Sequence, residues 1–228
     1  MCGIVGYIGK NEAIPILIDG LKRLEYRGYD SSGIVVHNNE AVFTAKSVGR
    51  ISELEKKIGS KNIAGSLGIA HTRWATHGAP TEANAHPHTD CHGKIYLVHN
   101  GIIENYQQLK EKLLVKGHKF ISQTDTEVIA HLLEDLYEGD LLVAFKKAIK
   151  LIKGTFGLVI FHKNEPERIL AAKQGSPLVI GLGDGETIIA SDVSAILRHA
   201  NQVIYLDDGE IAYVNEGGIA IFNAEEAP

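Results

Sequence analysis

The stretch Cys2-Gly3-Ile4-Val5-Gly6-Tyr7-Ile8-Gly9 decides how this chain is read, because a thiol directly follows the initiator methionine and a short apolar run begins there. Residues 3–8 predict a buried strand, with glycines where neighbouring backbone approaches closely. Removal of Met1 leaves a sulfur nucleophile and a free α-amine on one residue. The amine's reference pKa of roughly 8 lies close to the thiol's of about 8.5, so the amine can take the thiol proton and later return it. Amine-activated nucleophiles at a chain terminus are a recognised catalytic arrangement. A plainer reading stands beside it: a Cys at position 2 also serves as a small residue entering a buried strand.

Outward from this strand, Asn11 is placed to cap a helix carrying Ile14, Leu17, Ile18, Leu21 and Leu24 on one stripe, with Pro15 tolerated in its first turn. Strands are expected at 34–37 and 42–46, joined at Asn38-Asn39, followed by a helix at 52–58 and a strand at 67–71. Residues 72–93 are rich in His, Pro, Thr and Asn and show no periodicity. Loops of that length inside a compact domain are generally functional or disordered, and the histidines, arginine and tryptophan here argue for function. A strand at 95–99 leads to a helix at 106–116, capped by Asn105 and closed by Gly117. Thr124-Asp125-Thr126-Glu127 has the form of a capping box, and Asp140 is placed to cap a further helix. Strands then dominate, at 156–161, 169–172, 178–181, 187–190, 203–206, 211–214 and 219–222, interrupted by a short helix at 193–199. Strands in quantity with helices in pairs favour a layered α+β domain over 1–228, two sheets face to face with helices outside.

Composition narrows the function. The 228 residues are 44% hydrophobic and 22% charged, enough apolar material for a sizeable core. A net charge of −5 with scattered basic residues offers no face for nucleic acid. No apolar run reaches the ~20 residues of a membrane span, and no signal peptide is visible. Two cysteines make no disulfide framework, so a reducing cytoplasm is the expected setting, one that keeps Cys2 a thiol.

An acyl-transfer nucleophile needs an oxyanion hole and a means of holding its substrate. Asn100-Gly101 supplies an amide and an unobstructed backbone N–H, although Asn-Gly is also a common strand-ending turn. Arg73, in His71-Thr72-Arg73-Trp74-Ala75-Thr76-His77-Gly78, carries a guanidinium suited to a carboxylate, and Asp125 can receive an ammonium group. A surface ion pair for Arg73, a helix-terminal charge for Asp125 and a core anchor for Trp74 remain open. His71, His77, His86, His88, Cys91, His92 and His99 crowd one region, yet their spacing matches no standard zinc pattern, and no metal is expected. Gly181-Leu182-Gly183-Asp184-Gly185 reads as a hairpin turn rather than a phosphate loop.

In order, the opening Cys2-Gly3-Ile4-Val5-Gly6, then Leu24 to Ser31, His71 to Gly78, Asn84-Ala85-His86-Pro87-His88, Val98 to Asn105 and Thr124 to Glu127 resemble the glutaminase half of the glucosamine-6-phosphate synthase family. Gly175 to Gly181 and Ala190-Ser191-Asp192 fit as well, so the resemblance spans the chain. Ser32 stands where that family more often has alanine. The resemblance implies an N-terminal-nucleophile hydrolase fold, αββα, with two antiparallel sheets between helix layers. It implies Cys2 as nucleophile, Asn100 and Gly101 as oxyanion hole, and Arg73 and Asp125 as the grips on L-glutamine. Thr76 and His77 would lie in the surrounding loop, Trp74 would close the site, Arg27 would stand beside the nucleophile and His86 behind it. No cofactor is implied. Nothing here corresponds to the family's sugar-phosphate isomerase half, its expected partner domain, so the isolated part is expected to be monomeric and to release ammonia without making the amino sugar. A domain serving another acceptor, and a silent glutamine-binding domain, are the alternatives.

Overall fold

The structure, a computed structural model, describes residues 2–38, 41–59, 63–75 and 78–224. Met1, the candidate residues Thr76 and His77, and Asn39 of the expected turn lie outside the described residues.

Strand β1 (Gly3–Gly9) explains the layering. Side chains alternate across a strand, so Ile4 and Ile8 enter one apolar cluster while Val5 and Tyr7 enter another. A strand apolar on both faces must be covered on both, and β1 accordingly lies inside its sheet. That sheet has seven strands in the order β11 (Gln202–Tyr205), β9 (Val179–Leu182), β10 (Glu186–Ala190), β1, β4 (Leu67–Arg73), β2 (Ser31–His37) and β3 (Val42–Val48). The second sheet has six, in the order β13 (Gly218–Asn223), β12 (Glu210–Asn215), β8 (Arg168–Gln174), β7 (Gly154–His162), β6 (Ile95–Ile103) and β5 (His88–Thr89). The ladders joining these strands are antiparallel.

Between the sheets, Ile4, Ile8, Leu67 and Ile69 meet Val98, Val159, Phe161 and Ile169. Phe161 is fully buried there, and truncating such a ring to alanine typically costs about 3–5 kcal/mol. Helices α1 (Ala13–Arg23) and α2 (Ile51–Ile58) cover the outer face of the first sheet through Leu17, Leu21, Ile51 and Leu54. Helices α3 (Tyr106–Val115), α4 (Glu127–Leu136) and α5 (Leu141–Leu151) cover the second through Leu113, Ile129, Leu133 and Phe145. The expected four-layer αββα arrangement is present. No helix among the described residues is long and apolar enough to cross a membrane.

Several local expectations are corrected. Asn11 does not cap α1. Its Nδ2 donates to Glu186 Oε2 at 2.9 Å, and the first helical N–H, on Ala13, finds the Gly65 carbonyl instead. Thr124 to Glu127 is no capping box, because the Glu127 carboxylate faces backward and accepts from the backbone N–H groups of Ile121 and Ser122 at 2.8 and 2.7 Å. Asn105 stands at the N-cap of α3, but its side chain bridges the Leu151 carbonyl and the Lys153 N–H. The helix expected at 193–199 is a single 3₁₀ turn, Val193–Ala195. For Asn11 and Asn105 a partner distant in sequence outcompeted the local one. Asp140, in contrast, caps α5 as expected, accepting from the Leu142 and Val143 N–H groups, and Gly117, in the left-handed region at φ 95°, closes α3.

Candidate active site

Antiparallel register within the first sheet assembles one half of the site, and the second sheet supplies the other. Gly3 pairs with Thr72, which sets Cys2 beside Arg73 at the end of β4, and β4 pairs with β2 so that Ser31 faces Arg73. The Trp74 N–H points at Cys2 Sγ from 3.2 Å. Burial pushes the Cys2 thiol up from its ordinary value, outweighing the pull of the Trp74 amide and the Arg73 charge. Asp30 fixes the segment after Arg73: its N–H donates to the Arg73 carbonyl at 2.8 Å and its carboxylate accepts from the Ala75 N–H at 2.5 Å.

Asn100 and Gly101 lie inside β6, which continues to Ile103, so the strand-ending turn is excluded. Asn100 Nδ2 donates to the Cys2 carbonyl at 3.3 Å, and Asn100 Oδ1 is paired with His71 Nε2 at 3.0 Å. This pairing assigns the His71 hydrogen to Nε2 and fixes which way the Asn100 amide faces. Gly101 has φ 129°, and a Cβ there would sit 2.0 Å from the Thr155 carbonyl oxygen on β7. Only glycine allows this approach, which leaves the Gly101 position without a side chain.

Arg73 is 3% exposed, and its guanidinium donates to the carbonyls of Ala79 and Gly78 at 3.3 and 3.1 Å. The surface-pair reading of Arg73 is therefore excluded. Asp125, also buried, accepts from the Ile103 N–H at 2.7 Å, tying the approach to α4 onto β6. Arg27 donates to the Cys2 carbonyl at 3.4 Å and pairs with Asp192 at 2.5 Å. Burial raises the Asp192 carboxyl, but hydrogen bonds from Ser194 and Arg27 outweigh it and hold the group down to about 2. Trp74 is 54% exposed, and a Cβ on Gly28 would strike its ring. It is no core anchor; it lies against the 25–28 turn at the mouth of the site.

Cys2, Arg73, Asn100, Gly101 and Asp125 line one cavity of about 410 Å³, with Arg27, Trp74 and His86 on its wall. Behind it, the His71 and His86 ring centroids lie 4.1 Å apart with their planes tilted by 39°, and those of His86 and His88 lie 4.6 Å apart. Thr126 Oγ1 joins His86 Nε2 and His99 Nδ1 at 3.1 and 3.0 Å. Burial lowers all four imidazoles, His71 to about 3, so the wall is neutral near pH 7. Sequence reading missed His71 as the partner of Asn100, and Asp30 and Asp192 as anchors of Ala75 and Arg27. No spacing announces them, since each acts on a residue far off in sequence that only the folded chain brings near.

A family model described as the glutamine amidotransferase domain matches residues 58–218. Over its full length the chain is 52% identical to glutamine–fructose-6-phosphate aminotransferase (isomerizing) of Thermus thermophilus, covering 38% of that relative. It is equally similar to the enzyme of that name from Aquifex aeolicus, again at 52% and 38%. The chain thus spans well under half the length of these curated relatives. Among solved structures, glutamine phosphoribosylpyrophosphate amidotransferase from B. subtilis, complexed with ADP and GMP, superposes with a TM-score of 0.84 at 28% identity, covering 99% of this chain and 50% of that one. The αββα fold with its thiol at the chain start is the fold of these N-terminal-nucleophile amidotransferases. On the family match and the full-length identity, the chain belongs to the glutamine amidotransferase domain family.

Proposed function

We propose that this chain is a glutaminase domain over residues 1–228 that hydrolyses L-glutamine to L-glutamate and ammonia through a thioester on Cys2. The observation that carries the reading is the convergence of Cys2, Asn100, Gly101, Arg73 and Asp125 on one cavity. Its volume of about 410 Å³ lies near the lower end of the roughly 300–1,000 Å³ of small-molecule sites. Arg73 grips the α-carboxylate of glutamine and Asp125 its α-ammonium, leaving the carboxamide at the sulfur.

After loss of Met1, the Cys2 amine takes the thiol proton. A base is needed because burial keeps this thiol protonated. The sulfur then attacks the carboxamide carbon, and the oxyanion is held by the Asn100 amide and the Gly101 N–H. The C–N bond breaks, the Cys2 ammonium returns the thiol's proton to the leaving nitrogen, and ammonia departs. Water attacks the thioester, releasing glutamate and restoring the thiol. Arg27 holds the Cys2 carbonyl and Trp74 shields the mouth. In a longer protein, ammonia passes to a sugar-phosphate isomerase domain that aminates fructose 6-phosphate, the chemistry named for the relatives. We place the chain in the cytoplasm and expect it to be monomeric by itself.

The test is intact-mass spectrometry before and after a glutamine-analogue electrophile, with glutamate release measured in parallel. Expected are loss of Met1, one adduct on Cys2, and no glutamate release from Cys2→Ala. Release undiminished in Cys2→Ala would sink the proposal.

A further inference from the structure

The outer end of α4 carries a second group of reactive side chains, separate from the cavity at Cys2. Cys91, His118, His131 and Glu134 each present one ligand atom, and these atoms all lie within 4.8 Å of one another. Among the described residues this is the one group of its kind. We propose that these four side chains form a binding site for a divalent transition metal, with zinc the best match.

The distances carry the assignment. Zinc–nitrogen and zinc–sulfur bonds of about 2.0–2.1 and 2.3 Å in a tetrahedron require ligand atoms separated by roughly 3.3–3.6 Å. Cys91 Sγ lies 3.4 Å from His131 Nδ1 and 3.8 Å from His118 Nδ1. Glu134 Oε2 lies 3.0 Å from His118 Nδ1 and 3.4 Å from His131 Nδ1. Two imidazoles thus turn the same ring atom toward one sulfur and one carboxylate oxygen. Four of the six separations lie within a few tenths of an ångström of the tetrahedral values, and the other two are no longer than 4.8 Å.

The surroundings fit a metal as well. Backbone N–H groups of Lys119 and Cys91 point at Cys91 Sγ and Glu134 Oε2, from 3.4 and 3.2 Å, and would offset the negative charge of thiolate and carboxylate. His131 is 1% exposed. Its Nε2, buried without a hydrogen-bond partner, stands 3.6 Å from Glu127 Oε1. A carboxylate behind the far nitrogen of a ligating histidine is the usual outer support of such sites. One sulfur, two nitrogens and one oxygen form a soft, four-coordinate set that favours zinc over magnesium or calcium and leaves no open position, so the site is structural. It would join the corner after β5, the exit of α3 and the outer turn of α4.

The experiment uses the untagged 228-residue chain carrying Cys2→Ala, in which Cys91 is the one remaining thiol, stripped by chelator and titrated with cobalt(II). Expected are one cobalt per chain, tetrahedral visible bands and a thiolate-to-cobalt charge-transfer band, all displaced by zinc. Cys91 is exposed, so Cys91→Ser keeps the fold, as circular dichroism will verify, and loses the charge-transfer band. His118→Gln should weaken binding by at least the roughly 10–100-fold that loss of an outer-shell partner costs. Cobalt binding without thiolate character, or with equal affinity in both variants, would mean an adventitious ion and overturn the site. The outcome does not depend on the glutamine chemistry.

Discussion

Two groups of histidines differ in what faces their nitrogens. His71, His86, His88 and His99, behind the Cys2 cavity, meet an amide and threonine hydroxyls. His118 and His131 meet a carboxylate and a thiol. Buried among neutral partners, an imidazole sheds its charge and serves as a fixed hydrogen-bonding plate. Set against a carboxylate and a sulfur with converging lone pairs, the same ring can serve as a ligand. The residue type does not choose between these uses; its neighbours do. Glu127 links the two regions, since it backs His131 and also holds the Ser122 backbone two residues before Thr124.

The largest test of this contrast is Asn100→Ala. If the inner imidazoles exist to hold an oxyanion donor, kcat for glutamine should fall by about 10²–10³ with KM nearly unchanged, read by steady-state glutamate release. An unaltered kcat would leave the inner cluster without that purpose. Next in size is His71→Ala. Losing a hydrogen bond of about 1–1.5 kcal/mol that orients Asn100 should lower kcat by about tenfold, and His71→Gln, which keeps a donor, should recover part of it. Equal losses in both variants would make His71 a packing residue only.

A separate effect is on stability. His71 titrates at about 3 in the folded chain, below its ordinary 6.5. The unfolded chain therefore binds the extra proton first, and stability, complete above about pH 6.5, is lost as pH falls toward 3. Urea unfolding between about pH 6.5 and pH 4 should show this slope, and His71→Gln should flatten it. Asp192, held down to about 2, acts with the same sign but only below about pH 4. A slope identical in His71→Gln would contradict a neutral, buried His71.

Much of the fold was legible in the chain. Strand alternation in β1 and the helical stripe of α1 follow from side-chain periods that tertiary contacts reinforce. The candidate residues at Cys2, Arg73, Asn100, Gly101 and Asp125 were also legible, each through its own chemistry and its motif. The ends of elements were not. Asn11 and Glu127 look like caps because their local option is available, yet each found a stronger partner on another strand or loop. Asn100-Gly101 looks like a turn, and became mid-strand because β7 lies close enough that no side chain fits at Gly101. The outer ligand set was hidden for a further reason: Cys91, His118 and His131 are spread along the chain and match no motif spacing.

Taken alone, the order of residues determined which groups this molecule possesses: a thiol at its start, alternating strands for two sheets, an amide beside a glycine, and charges of both signs for one amino acid. Folding decided which of them meet. Antiparallel register brought Arg73 beside Cys2, the packing of one sheet on the other set His71 against Asn100, and the meeting of two loops with α4 set Cys91 against two imidazoles. Burial then decided their charge, because water is what an imidazole or a thiol loses when two sheets close around it.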